Sequence, residues 1–379
     1  MKPAWHWHAA ALLAGLVCLA PCLATPLEEA AAMAFAGREL PEPELLQPRL
    51  DPELLPYRPC RADAIRGRLE GSAPAIMSRL VGRWLLAFHQ IYPLAQVRVP
   101  PPYGAPQGAL SPPLQKFLQG QSDFAFVSRD PSDSDQATFA RSHGHPPQII
   151  PVVAGAYRHF GFLDALALIV HRDNPIQHLS FTQIDAVFSK SRLRGQPRVQ
   201  TWGDLGLAAW ADKPVHVVGA VAWNGEASAR AASLRDKVSS VGAQRGQWRD
   251  DLPSVGSEAD VPGQVAADRY AIGFTGMGHL LDGVKTLAVS DGADPRFYEP
   301  SYESIASAKY PLARVANLVI ANPPGTALDP TLREFARFLL SREGQQIVLD
   351  QGVMLPLRAH QVERALSRLQ AGGESPPCR

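Results

Sequence analysis

Four short stretches combine residue types that can hold an anion. Gly71-Ser72-Ala73-Pro74 follows a short alternating strand, Ile65–Leu69, and precedes an apolar stripe at Ile76, Leu80, Trp84 and Phe88. A Gly-Ser turn at a helix start leaves N–H groups free at the positive end of the helix dipole, and proline suits the first turn. The serine or Ala73 can equally do no more than cap the helix. Ser128-Arg129 closes the strand Phe124–Val127, and the guanidinium either forks onto an oxyanion or pairs with a carboxylate of the protein. Asn224-Gly225-Glu226 follows the strand Pro214–Gly219 and reads as a second glycine-bearing helix start, with Glu226 complementing the dipole in the first turn. Asp164 stands at the entrance to an apolar run, either facing a site or in solvent at a strand end. The chemistry on offer is reversible binding. The sequence holds no zinc-spaced His/Cys set, no G-x-S-x-G elbow and no phosphate-cradling P-loop, and His143 and His145 lie in a Gly/Pro loop. The expectation is a protein that is not an enzyme and uses no cofactor or metal.

The elements that must position these residues alternate between strand and helix. Leu163–Val170 is continuous, apolar and ended by Asn174-Pro175, the pattern of a strand buried on both faces. Ser180-Phe181-Thr182-Gln183 is a capping box that opens a helix with Ile184, Val187 and Phe188 on one side. Tyr270–Gly278 is a glycine-bearing strand, and Asp329 caps a helix with Pro330 in its first turn. The 379 residues suggest about two domains. A formal net charge of +1 and a charged fraction of 19% argue against a nucleic-acid partner.

The chain opens with Lys2, an apolar run at Ala9–Ala20 too short to span a bilayer, and a small-residue site before Thr25. Residues 1–24 therefore read as a signal peptide, and no later run is long enough to anchor the chain. Cys22 raises a lipoprotein alternative, which Pro21 in front of it argues against. Residues 25–62 form a Pro-rich arm. Cleavage leaves Cys60 and Cys378, an even pair in an oxidising compartment and so a candidate disulfide. Cys378 lies next to the chain end, where chains fray, which leaves the free thiols open.

Several of these stretches resemble motifs of the periplasmic phosphate-binding proteins. "LDALALIVHRDNP" resembles the segment by which that family crosses from its first lobe to its second, and Gln119–Pro131 resembles "G-x-A-D-I-A-x-x-S-R". Val199–Gly206 is similar to "I-T-x-W-x-D-L-G", with Trp202 expected to pack in the second lobe, and Tyr270–Gly278 to "G-A-I-G-Y-x-G" at the second crossing. The resemblance covers roughly 63–360. It implies two α/β lobes of the type II periplasmic binding-protein kind, each a sheet flanked by helices, joined by two crossover strands. Lobe 1 would comprise 63–162 and 283–365, lobe 2 163–282, and 366–379 a tail. A small, phosphate-like anion would bind in the cleft at Gly71, Ser72, Ala73, Ser128, Arg129, Asp164, Asn224, Gly225 and Glu226, for uptake by an ABC transporter whose permease would be the partner.

The resemblance also marks departures. Where the family has "R-N-x-S-G-T", this chain has Ala220 in the Arg position and Glu226 in the Thr position. Prolines at 100–102, 106 and 112–113 replace much of a Gly/Ser-rich cleft loop, and each removes an N–H donor. Arg129 alone would have to balance Asp164 and Glu226, so phosphate should bind weakly, and Ala220→Arg with Glu226→Thr should recover affinity. The alternative is a ligand-poor relative that acts as a sensor or adaptor through protein contacts.

Overall fold

The computed structural model describes residues 49–100, 112–158, 163–223, 226–227, 229–253 and 255–370. β1 (Gly67–Ser72) passes through a 3-10 turn at Ala75–Met77 into α1 (Ser78–Ile91), which returns to β2 (Ala95–Arg98), parallel to β1. α1 buries Leu80, Val81, Trp84 and Phe88 as a helical stripe, and Trp84 stacks on Phe126 with ring centroids 5.9 Å apart. α2 (Pro112–Leu118), β3 (Phe124–Val127), α3 (Asp133–His143) and β4 (Gln148–Val153) follow.

The chain then crosses to a second sheet. β5 (Leu166–His171) is buried along all but its last residue, as a continuous apolar run requires. β6 (His178–Ser180) leads into α4 (Phe181–Phe188), whose capping box forms as expected: Ser180 Oγ accepts from Gln183 N at 3.2 Å and Gln183 Oε1 from Ser180 N at 2.9 Å. Trp202 packs fully buried behind this sheet and donates its indole N–H to the Tyr270 carbonyl at 3.3 Å. β7 (His216–Val218) precedes a two-strand hairpin, β8 (Ala222–Trp223) and β9 (Glu226–Ala227). α5 (Ala229–Leu234) runs on as a π-helical turn at Arg235–Ser239, and α6 (Val261–Ala267) precedes β10 (Ala271–Gly276).

β11 (Val284–Thr286) pairs with β5, and β12 (Ala288–Ser290) with β6. Residues 284–290, expected to begin the return to lobe 1, are therefore paired with second-lobe strands. The return comes after α7 (Tyr302–Ala306), with β13 (Ala316–Ile320), which inserts antiparallel between β3 and β4. The first sheet thus runs β2-β1-β3-β13-β4 and the second β11-β5-β10-β7. α8 (Pro330–Leu339), α9 (Arg342–Asp350) and α10 (Ala359–Gln370) complete the described chain. Asp329 caps α8 by accepting from Thr331 N and Leu332 N, with Pro330 in the first turn as expected. The result is two α/β lobes, each a sheet flanked by helices. Among the described residues no helix is long and apolar enough to cross a membrane.

Candidate functional site

The first crossing between the lobes and the end of β10, which the sequence led us to expect at the second crossing, are tied to one carboxylate. Leu163 adopts φ of +64°, an uncommon conformation for a non-glycine residue, and the turn delivers Asp164 into a fully buried position. Asp164 Oδ1 accepts from Arg230 Nη2 at 2.5 Å, and Oδ2 accepts from the Gly278 N–H at 3.1 Å. Gly276 must be glycine, because a Cβ there would lie 2.2 Å from Asp164 Oδ2. The other arm of Arg230 bonds Glu258. Burial pulls the Arg230 guanidinium down, but Asp164 and Glu258 outweigh it and hold its pKa above the ordinary value. Asp164 therefore neither faces solvent nor offers a free oxygen to a ligand.

Beside this triad lies a second cation, Arg314. It is buried and donates to the Ser128 carbonyl at 3.3 Å, while its Nε has no partner among the described residues. Burial, and next the neighbouring Arg230, push its pKa down to about 10 despite Asp164, Glu258 and Asp130. Across the lobes, Lys237 Nζ lies 2.8 Å from Asp130 Oδ2 and donates to the Ala313 carbonyl at 3.0 Å. Desolvation in the groove would raise the Asp130 carboxyl. Lys237, with a 3.1 Å hydrogen bond from Asn317, holds it below the ordinary value.

Arg129 is engaged elsewhere than expected. Its Nη1 donates to Asp135 Oδ2 at 2.6 Å, and Asp135 also accepts from Ser132 N and Oγ in the capping box of α3. The cation that balances Asp164 is thus Arg230, not Arg129. Ser72 does not cap the following helix. Pairing of Gly71 and Ser72 with Phe124 and Ala125 holds it in β1, and α1 starts only at Ser78. Ser72 Oγ lies 3.4 Å from Ser122 Oγ, Ala73 is buried, and a Cβ on Gly71 would meet the Phe124 ring at 2.2 Å. Asn224 and Gly225 lie outside the described residues. The backbone of Glu226 is in β9, paired with Trp223, so it does not sit in a first helical turn; the helix begins at Ala229. Ala220 is only 2% exposed. An arginine there would displace packed neighbours, so the rescue by Ala220→Arg is no longer expected.

A cavity of about 360 Å³ opens between the lobes. Its first-lobe wall is Arg129–Ser134, ending in the start of α3. Its second-lobe wall is Arg194 and the stretch from Ser233 through the π-helical turn to Arg245. The π-helical turn, a form concentrated at functional positions, carries both Asp236 and Lys237 to this wall. Of the expected ligand residues only Arg129 lines it; Ser72, Ser128 and Asp164 do not.

Residues 62–343 match the PBP superfamily domain. The chain belongs to the PBP superfamily. This PBP-superfamily chain is 29% identical over 322 residues to the phosphate-binding protein PstS of two Pseudomonas aeruginosa strains, which covers 84% of this chain and 92% of theirs. Among solved structures, PstS from Borrelia burgdorferi superposes with a TM-score of 0.52 at 17% identity, covering 78% of this chain and all of that one, which is a likeness of fold. Within the PBP fold, Arg230, Glu258, Lys237 and Arg314 are site residues that the sequence pattern did not single out. All four meet groups distant in the chain, and only the tertiary fold brings them together. The one local signal was the density of charge in Arg235-Asp236-Lys237 on an otherwise apolar-faced helix.

Proposed function

We infer that this chain is an exported solute-binding protein that takes a small, phosphate-like oxyanion between its lobes and hands it to an ABC transporter in the membrane. The observation that carries this reading is the interlobe cavity, into which one lobe sends Arg129 and the other Arg194, Lys237 and Arg245. A ligand touching both walls is bound by both lobes, so binding and closure become one event. The phosphate-binding relatives support the ligand class. The Lys2 start, the short apolar run and the Ala24-Thr25 site support export to the periplasm with cleavage after Ala24. No catalytic role is assigned.

The anion site is degenerate. Arg129, Lys237 and Arg245 are paired with Asp135, Asp130 and Asp236 respectively, and the Asp164–Arg230–Glu258 triad is closed on itself. A compact dianion would have to displace carboxylates that the protein already supplies, so inorganic phosphate should bind weakly. Calorimetric titration of the mature protein with phosphate and a panel of anions tests this. A phosphate dissociation constant near or below about 1 μM would overturn the degenerate site. Absence of heat with every anion would overturn the oxyanion reading and favour a sensor or adaptor. One observation favours that second reading: Lys237 joins the lobes directly, through Asp130 and the Ala313 carbonyl. Permease and ATPase genes beside this one would count against it.

A further inference from the structure

We propose that the interlobe cavity takes a phosphate monoester of a small polyol rather than inorganic phosphate, an inference that rests on the oxyanion-binding reading above. Size is the first argument. At about 360 Å³ the cavity falls in the range of pockets that enclose small organic ligands, ~300–1,000 Å³, and a lone tetrahedral ion would leave most of it unfilled. The second argument is the lining. Asp130, Asp133 and Asp236 and the serines 132, 134, 233 and 240 alternate with the cations. Carboxylates repel a compact dianion but accept hydrogen bonds from hydroxyl groups.

Arg194 and Asp236 line the cavity with opposite charge. Arg194 donates to the carbonyls of Lys237 and Val238 and is within ion-pair distance of no carboxylate among the described residues. Its remaining guanidinium donors are available to a phosphoryl group. Asp236 shares Oδ1 between Arg235 and Arg245, while Oδ2, buried at the wall, has no partner among the described residues. A polyol brings several hydroxyl donors to this carboxylate- and serine-lined wall, where hydrogen phosphate brings a single P–O–H. The ester therefore makes hydrogen bonds beyond those open to the free ion.

The test is calorimetric titration of the mature protein with inorganic phosphate, glycerol 3-phosphate, glucose 6-phosphate and, as neutral controls, glycerol and glucose. At least one monoester should bind tenfold or more tighter than inorganic phosphate, and the neutral polyols should not bind. Arg194→Met should weaken the monoester at least tenfold. Asp236→Asn should weaken it and, because a repelling charge is removed, should not weaken phosphate. If Arg194→Met fails to fold by circular dichroism, Arg245→Gln, at a more exposed position, should show a several-fold loss in its place. Monoesters that bind no tighter than weakly bound phosphate overturn the inference and leave the oxyanion reading standing. Binding of no anion at all overturns both.

Discussion

At the scale of single residues, Asp164 is a structural pin. It is fully buried, its oxygens are taken by Arg230 and the Gly278 N–H, and through them it joins the first crossing to α5 and to the end of β10. Breaking a buried pair from one side leaves an uncompensated charge, which typically costs about 3–5 kcal/mol. Asp164→Asn should therefore lower the unfolding free energy by roughly that amount in urea titrations. A loss under about 1 kcal/mol would show that Glu258 alone suffices for Arg230.

At the scale of elements, the end of β10 is the tightest constraint on how the lobes meet. Gly276 leaves room for the Asp164 carboxylate that any side chain would occupy. Gly276→Ala should destabilise by about 1–3 kcal/mol through overpacking. It should also weaken ligand binding, because Asp164 at the first crossing must shift. Normal melting and normal titration heats in this variant would refute the close approach. The capping boxes at α3 and α4 show the opposite situation, in which four consecutive residues settle a helix start regardless of what surrounds it.

At the scale of the whole molecule, the lobes are held together by charge across the groove. Asp130 and Asp135 have carboxyls held below the ordinary value of 3.8. Desolvation opposes this in both. Lys237 wins at Asp130, across the groove, and Arg129 with the Ser132 donors wins at Asp135, within the first-lobe wall. A depressed folded pKa means stabilisation that is present above the unfolded value and lost as pH falls through the folded one. The groove should therefore loosen below pH 3.8 and not above it, read as a rise in radius of gyration by small-angle scattering. Lys237→Met should expand the protein already at pH 7; an unchanged radius would remove the interlobe role of that lysine. Cys60 is disulfide-bonded, and Cys378, its expected partner, lies outside the described residues. If export removes Cys18 and Cys22, the mature protein should contain no reactive thiol before reduction. Labelling of one or two thiols per chain would exclude the Cys60–Cys378 bridge.

Local patterns determined much of this protein. The buried β5, the stripe of α1, the capping box of α4 and the cap of α8 are legible because their causes lie within a few residues: periodicity, N-cap chemistry and proline placement. The two-lobed fold was legible through the resemblance of several such stretches to the periplasmic phosphate-binding proteins. Charge pairing was not. Arg129 and Arg230 are indistinguishable as residue types, and which of them meets Asp164 depends on where the first crossover, α5 and the end of β10 converge. The start of α1 was misplaced because pairing of Ser72 with β3 overrides a good local cap. The hairpin at 222–227 and the cavity wall built by a π-helical turn likewise have no short-range signature. Ion pairs and cavities join residues distant in the chain, so only the tertiary structure could decide them.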